Sequence, residues 1–207
     1  LWLLDVPEEY DGAGLGLLAQ VVVWEELTRT AALPSRGEGI FGPEVRPILY
    51  SLNEEQKQRY LYPVLRGEKK MCFAQTEPDA GSDPASMKTR AIRQGDYYVI
   101  NGVKRFITDA EKADFAQVMV VTDPSKRSHG GISCLLVDMD TPGVRITTKH
   151  RTRMGEEPCE IVFEDCKVPA VNLVGEEGEG FKLAQKWLVV GRLKHGARAL
   201  GIAERFV

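Results

Sequence analysis

Apolar positions recur at helical spacing near the start of the chain, change to alternation in the middle, and return to helical spacing at the end. After turn-forming residues from Pro7 to Gly14, the spacing predicts a helix over residues 15–30. Leu17, Leu18, Val21, Val22 and Leu27 form its apolar side, with Glu25, Glu26 and Arg29 elsewhere. Pro34, Gly37 and Gly39 predict a break, and the apolar segment 40–52 is loosened by Gly42, Pro43 and Pro47. Asn53 is a good N-cap for the next helix, which carries Glu54 and Glu55 in its first turn where the helix dipole favours them. Pro63 should kink or stop that helix, and Gly67 closes the all-helical part.

Beyond Gly67 the period becomes two. Strands are predicted at residues 71–75, 87–93, 115–122, 132–139, 144–148 and 160–163. Between them, Asn101-Gly102 separates the β-rich runs 97–100 and 103–107, the pattern of a type I′ hairpin. About seven short strands at this spacing predict a compact barrel or sandwich rather than a βαβ sheet. From residue 179 to 207 the pattern is helical again, with Phe181, Ala184, Trp187, Leu188, Leu200 and Ala203 as its apolar positions. That helix should pack on the N-terminal helices and on a bundle encoded beyond Val207.

Composition narrows the classes. The chain is 43% hydrophobic and 28% charged with a net charge of −3, so no basic field draws in nucleic acid or an anionic membrane. No apolar run approaches the ~18 residues of a membrane span. Cys72, Cys134, Cys159 and Cys166 lack C-x-x-C spacing, and His129, His150 and His195 are scattered. No zinc site is expected; reduced, buried thiols of an intracellular protein are the simpler reading. The chain opens on Leu1-Trp2-Leu3-Leu4 without an initiator Met and stops at Val207 inside a helical pattern. Both ends are read as those of a piece of a longer protein.

Candidate chemistry lies in two stretches. In residues 76–83, Gly81 leaves room for close approach, Thr76 and Ser82 offer hydroxyls, and Asp83 can hold the loop through an Asx turn. Such a loop either cradles a phosphate or is simply a turn. In residues 106–108, the Phe106 ring could cover a flavin face and the Thr108 hydroxyl could donate to flavin N5. A core aromatic followed by a turn threonine accounts for the same residues.

The motifs Thr76-Glu77-Pro78-x-Ala80-Gly81-Ser82-Asp83 and Asn101-Gly102-x-Lys104-x-Phe106-Ile107-Thr108 closely resemble the acyl-CoA dehydrogenase flavoprotein family. The likeness runs the length of the chain. It includes Pro7-Glu8-Glu9-Tyr10-x-Gly12-x-Gly14, Glu54-Glu55-Gln56-Lys57, Ile161 to Pro169, Asn172-Leu173-Val174-Gly175 and Gly178-x-Gly180-Phe181. The resemblance implies an α+β multidomain fold: an N-terminal helical domain over residues 1–68, a central β-barrel domain over 69–176, and the first helix of a C-terminal four-helix bundle over 177–207. It implies FAD as cofactor and an acyl-CoA substrate. A glutamate removes the α-proton while the β-hydrogen passes as hydride to N5, giving the trans-2-enoyl-CoA. A homotetramer built as a dimer of dimers, and an electron-transferring flavoprotein as acceptor, are also implied. So is a cytoplasmic location in a bacterium or the mitochondrial matrix in a eukaryote.

Carried over by motif, Phe73, Gln75, Thr76, Gly81, Ser82, Phe106, Ile107 and Thr108 would line the flavin and its pyrophosphate. Ser82 and Arg192 would lie by the CoA. Three positions depart from the family pattern. Gln75 replaces an aliphatic residue beside the flavin, and Phe106 replaces a tryptophan. Gly191 occupies the place, just before Arg192, where a minority of members carry the catalytic glutamate. The base is therefore expected beyond residue 207, with Glu204 read as a solvated helix charge. The competing readings are a flavin oxidase or monooxygenase of the same superfamily, a non-catalytic assembly protein, and a plain β-barrel binding module.

Overall fold

Strands β4 (Phe115–Val121) and β5 (Ile132–Asp138) are buried along almost their whole length, because each serves two cores. Phe115, Met119 and Val121 of β4, with Ile132, Cys134 and Leu136 of β5, pack against Leu49, Tyr60 and Leu61 of the helical part. Their alternate residues Ala116, Val118, Val120, Leu135 and Val137 pack with Tyr98, Ile100 and Phe163 on the other face. A strand covered on both sides is mostly apolar, and only Gln117 in β4 and Ser133 and Asp138 in β5 interrupt these two. The structure, a computed structural model, describes residues 3–30, 42–153 and 155–207. The break expected at Pro34, Gly37 and Gly39 lies outside them, as do Leu1 and Trp2.

The other strands are β1 (Met71–Ala74), β2 (Arg90–Gln94), β3 (Tyr97–Ile107), β6 (Val144–Lys149) and β7 (Cys159–Pro169). The sheet runs β1-β4-β2-β3-β7-β6, with β5 along β4. It curls until Thr76, just past β1, accepts a hydrogen bond from the Arg105 N–H of β3 at 2.8 Å. An N-terminal helical part, a curled β domain and a following helix are thus the observed architecture.

The hairpin is not where the Asn-Gly pair put it. β3 runs through Asn101-Gly102 without turning, and the reversal lies between Gln94 and Tyr97. Gly95 takes a φ of +63° there and Asp96 does not turn positive, which is the glycine-first type of two-residue turn. Asn101 instead faces a bulge in β7. Its Nδ2 donates to Asp165 Oδ1 at 3.1 Å and its Oδ1 accepts from Asp165 N at 2.9 Å. Beyond the bulge Cys166 to Pro169 pair with Tyr97 to Ile100, so β7 runs on to Pro169, past the four-residue strand expected.

Asn53 caps its helix, in a box with Gln56, and the helix is distorted just before Pro63 and stops two residues after it, near where the proline was expected to act. The segment α2 (Glu54–Gln56) widens into a π turn over Lys57–Leu61 and resumes as α3 (Tyr62–Leu65). Proline cannot bond the carbonyl four residues back, and Arg59 O accepts from Lys69 Nζ at 3.3 Å. In α1 (Leu17–Thr28) the buried positions are Gln20, Trp24 and Thr28, whereas Leu18 and Val22 are exposed. This helix is apolar on nearly every side, so its period could not single out the inner face.

That face meets α4 (Gly180–Glu204), where Arg198 lies over the Trp24 ring at 5.3 Å. At the crossing, a Cβ on Gly201 would sit 2.1 Å from Glu25 O. Gly201→Ala is therefore expected to lower stability by about 1–3 kcal/mol, against alanine's helix preference. Gly191 and Gly196 have open space at Cβ, so alanine there should stabilise by roughly 0.5–1 kcal/mol. Urea midpoints of the three variants check both signs. Among the described residues, no helix is long and apolar enough to cross a membrane.

Candidate functional site

β1 and β3 leave the sheet side by side, and one lysine ties their ends together. Lys104 Nζ donates to Gln75 O at 3.1 Å and to Glu77 Oε1 at 2.8 Å. Glu77 also accepts from Lys88 N at 2.6 Å and Thr89 N at 3.0 Å. Both side chains of the ion pair are buried. Burial pushes Lys104 down to about 8, against the pull of Glu77. For Glu77, burial works to raise the carboxyl. The Lys104 charge and the hydrogen bonds from Lys104, Thr89 and Lys88 outweigh it and hold the group below its ordinary value. These bonds fix the segment after β1 against β3, so Gln75 and Thr76 lie beside residues 104–106.

Phe106 is turned outward by an irregularity in β3. Between Lys104 and Ile107 the pairing with β7 gains an extra residue, and Phe106 takes a φ of +58°. An aromatic residue in that conformation carries strain. Its ring is 56% exposed and leans on His150 with centroids 4.7 Å apart. Bulges of this kind re-aim a side chain. Ile107 points the other way into the barrel core, leaving only its backbone for the rim. Thr108 follows, half-buried. Across from them Gln75 is partly buried, and its Oε1 has no hydrogen-bond partner.

The loop after Gln75 closes on itself. Glu77 N donates to Ala80 O at 2.9 Å and Ala80 N to Glu77 O at 3.3 Å. Gly81 and Ser82 are exposed just beyond, with open space over Gly81. Asp83 holds the far side, accepting from Ala85 N at 3.0 Å and Ser86 Oγ at 2.8 Å, as an Asx turn does. In the other direction along β1, Phe73 meets the Trp187 ring of α4 at 4.7 Å. Arg192 lies further along α4 and is exposed. So Gln75, Thr76 and residues 106–108 share one rim, with Gly81 and Ser82 on the loop leaving it, while Arg192 belongs to a separate element.

Sequence alone assigned no role to Glu77, Lys104, Arg46 or His150. Glu77 and Lys104 stand 27 positions apart, and no local spacing pairs them. All four cysteines are free and buried, in line with structural thiols. Desolvation pushes Cys72 and Cys134 up to about 12, which keeps them unreactive.

Models of the acyl-CoA dehydrogenase N-terminal domain and middle domain match residues 1–68 and 72–166. The chain is 39% identical over 210 residues to the human mitochondrial short-chain specific acyl-CoA dehydrogenase, covering 99% of this chain and 50% of that protein. It is 38% identical over 206 residues to acryloyl-CoA reductase (NADH) of Anaerotignum propionicum, covering 97% of this chain and 52% of that one. Among solved structures, acyl-CoA dehydrogenase from Geobacillus kaustophilus superposes with a TM-score of 0.83 at 40% identity, over 99% of this chain and 55% of that one. A probable acyl-CoA dehydrogenase from Mycobacterium abscessus gives 0.87 at 32% identity, over 98% and 55%. The chain spans about half the length of the curated relatives it matches.

Proposed function

The chain belongs to the acyl-CoA dehydrogenase family, and on that premise we propose that the protein oxidises an acyl-CoA thioester to its trans-2-enoyl-CoA with FAD held on the rim of residues 75–76 and 106–108. The observation that carries this reading is Phe106, an exposed aromatic kept at positive φ beside an unpartnered Gln75 Oε1. A strained, outward ring next to a buried orphan acceptor is a costly arrangement without a ligand. A planar ring system bearing N–H donors would cover the exposed ring and give Gln75 Oε1 a partner.

FAD, when bound, supplies the acceptor for the β-hydrogen. The residues of this chain would bind and orient it. Phe106 covers one ring face, Gln75 and Thr108 meet polar edges, and Gly81 and Ser82 leave backbone and hydroxyl donors for the pyrophosphate. Ser82 and Arg192 lie toward the CoA. Lys104 and Glu77 hold the rim and take no proton from substrate. Glu77 is committed to three donors, and Lys104 is fully enclosed. Glu204 pairs with Arg29, just past α1, at 2.5 Å, and Gly191 has no titratable group. On this account the α-proton is taken by a glutamate beyond residue 207. In this reading residues 1–68, 69–176 and 177–207 are the three domain portions, the assembly is a homotetramer, and an electron-transferring flavoprotein takes the electrons.

The full-length protein should retain stoichiometric FAD through gel filtration and lose its flavin absorbance when acyl-CoA is added without oxygen. The chain of residues 1–207 alone should not bleach at that rate. Slow reoxidation by oxygen is expected of a dehydrogenase. Rapid reoxidation would make the protein an oxidase, and absence of flavin would overturn the reading altogether.

A further inference from the structure

We propose that Arg46 receives an oxyanion at the far end of the acyl group, so that the substrate is an acyl-CoA bearing a second carboxylate. This inference rests on the flavin reading of the rim. Arg46 immediately precedes the 3₁₀ turn Pro47–Ser51, and its side chain is only 6% exposed. Its guanidinium carbon lies 4.7 Å from the Trp187 ring centroid of α4 and 5.8 Å from the Phe73 ring centroid of β1. The helical part, the first strand and the last helix thus converge on one buried cation. Junctions between domains are where ligand sites form.

One of its donors is left unpaired. Its Nε is buried with no hydrogen-bond partner. Among the described residues the only carboxylate at ion-pair distance is Glu44, at 3.3 Å from Nε, outside hydrogen-bond geometry and itself 62% exposed. A guanidinium carries five N–H donors. Aromatic faces return only part of what burial takes from a cation, and an exposed carboxylate outside hydrogen-bond geometry offsets little of the rest. An apolar side chain would fill the same space between Trp187 and Phe73 at lower cost. An arginine there fits an acceptor supplied from outside the chain, and its planar fork matches a carboxylate.

Position identifies the part of the substrate. Phe73 and Gln75 are alternate residues on one side of the β1 path, about 7 Å apart. The Gly81–Ser82 loop leaves Gln75 in the opposite chain direction. In that reading, with the flavin at Gln75–Thr76 and its pyrophosphate toward Ser82, the acyl group would extend along the remaining side, past Phe73 toward Arg46.

The test uses the full-length flavin-loaded protein with glutaryl-CoA and adipyl-CoA against valeryl-CoA, hexanoyl-CoA and 3-phenylpropionyl-CoA, following anaerobic flavin bleaching. The dicarboxylic thioesters should be favoured in kcat/KM on the order of 10²-fold, the range lost when a buried charge pair is broken. Arg46→Met should erase that ratio, mostly through KM, while sparing the monocarboxylic thioesters. Arg46→Lys should restore part of it. A wild-type preference for the monocarboxylic or aromatic thioesters overturns the inference, and so does an unchanged ratio in Arg46→Met. If that variant does not fold, the wild-type ratio alone decides. A protein that binds flavin and shows no dicarboxylic preference overturns only this inference, whereas one that takes up no flavin overturns the reading beneath it.

Discussion

Replacing Lys104 with methionine is expected to lower the free energy of unfolding by about 3–5 kcal/mol, the cost of breaking a buried ion pair from one side. The urea midpoint should fall with little change in slope. Methionine keeps most of the volume but leaves Glu77 charged, enclosed and held only by the Lys88 and Thr89 N–H groups. It also strips Gln75 O of its donor. Glu77→Gln alone should be costly for the mirror reason, since it leaves the Lys104 cation buried without a counter-charge. The double variant removes both charges and keeps an acceptor for one of the two N–H groups. It should cost clearly less than the sum of the singles, a coupling that a double-mutant cycle reads directly. Additive losses would show that the pair is not acting as one unit.

The same pair sets a pH dependence. The folded carboxyl of Glu77 titrates below its ordinary value. Its contribution to stability is therefore present above the ordinary carboxylate range and is lost as the pH falls through the lower folded value. Glu77→Gln should flatten that part of the acid limb. Because Lys104 also anchors Gln75 and its neighbour Arg105 bonds Thr76, loosening the pair should weaken flavin retention as well.

How far the sequence carried the fold depends on where each signal was local. Asn53 was legible as a cap because the four residues that make the box are contiguous. Strands β4 and β5 were legible because burial on both faces leaves them largely apolar, with only Gln117 and Ser133 as polar residues inside them. The Asn101-Gly102 pair misled for a long-range reason. Its partner is Asp165 on a strand far along the chain, and nothing within a few residues distinguishes a bulge from a turn. Helix α1 misled because it buries Gln20, Trp24 and Thr28 while the more apolar Leu18 and Val22 are exposed; the buried face is the one that meets α4 at the Gly201 crossing. At the candidate site, Gln75 and residues 106–108 were singled out by the family motif and by a ring-and-hydroxyl pattern. The lysine that brings them together was visible only as a letter of that motif, since its partners are distant in sequence. Arg46 was invisible for the same reason. A single arginine before a proline announces neither its burial nor the two rings from β1 and α4 that enclose it.

Phe106→Asn is expected to separate folding from flavin binding. Asparagine tolerates positive φ far better than phenylalanine, so the backbone strain at this position falls. The exposed ring gives up little burial, and its contact with His150 is worth roughly 0.5–1.5 kcal/mol. Strain relief and lost contact nearly offset each other, and apo stability should change by less than about 1 kcal/mol. Flavin binding loses an aromatic cover, for which area burial and ring contact together amount to roughly 2 kcal/mol, or on the order of 10–10²-fold in Kd. Phe106→Trp should bind flavin at least as well as the wild type, since a larger ring covers the same face. Flavin fluorescence titration with the full-length protein, alongside urea melts of the apo forms, measures both quantities. A Phe106→Asn protein that holds flavin as tightly as the wild type would mean the ring is strained for some other purpose, and that FAD does not lie on this rim.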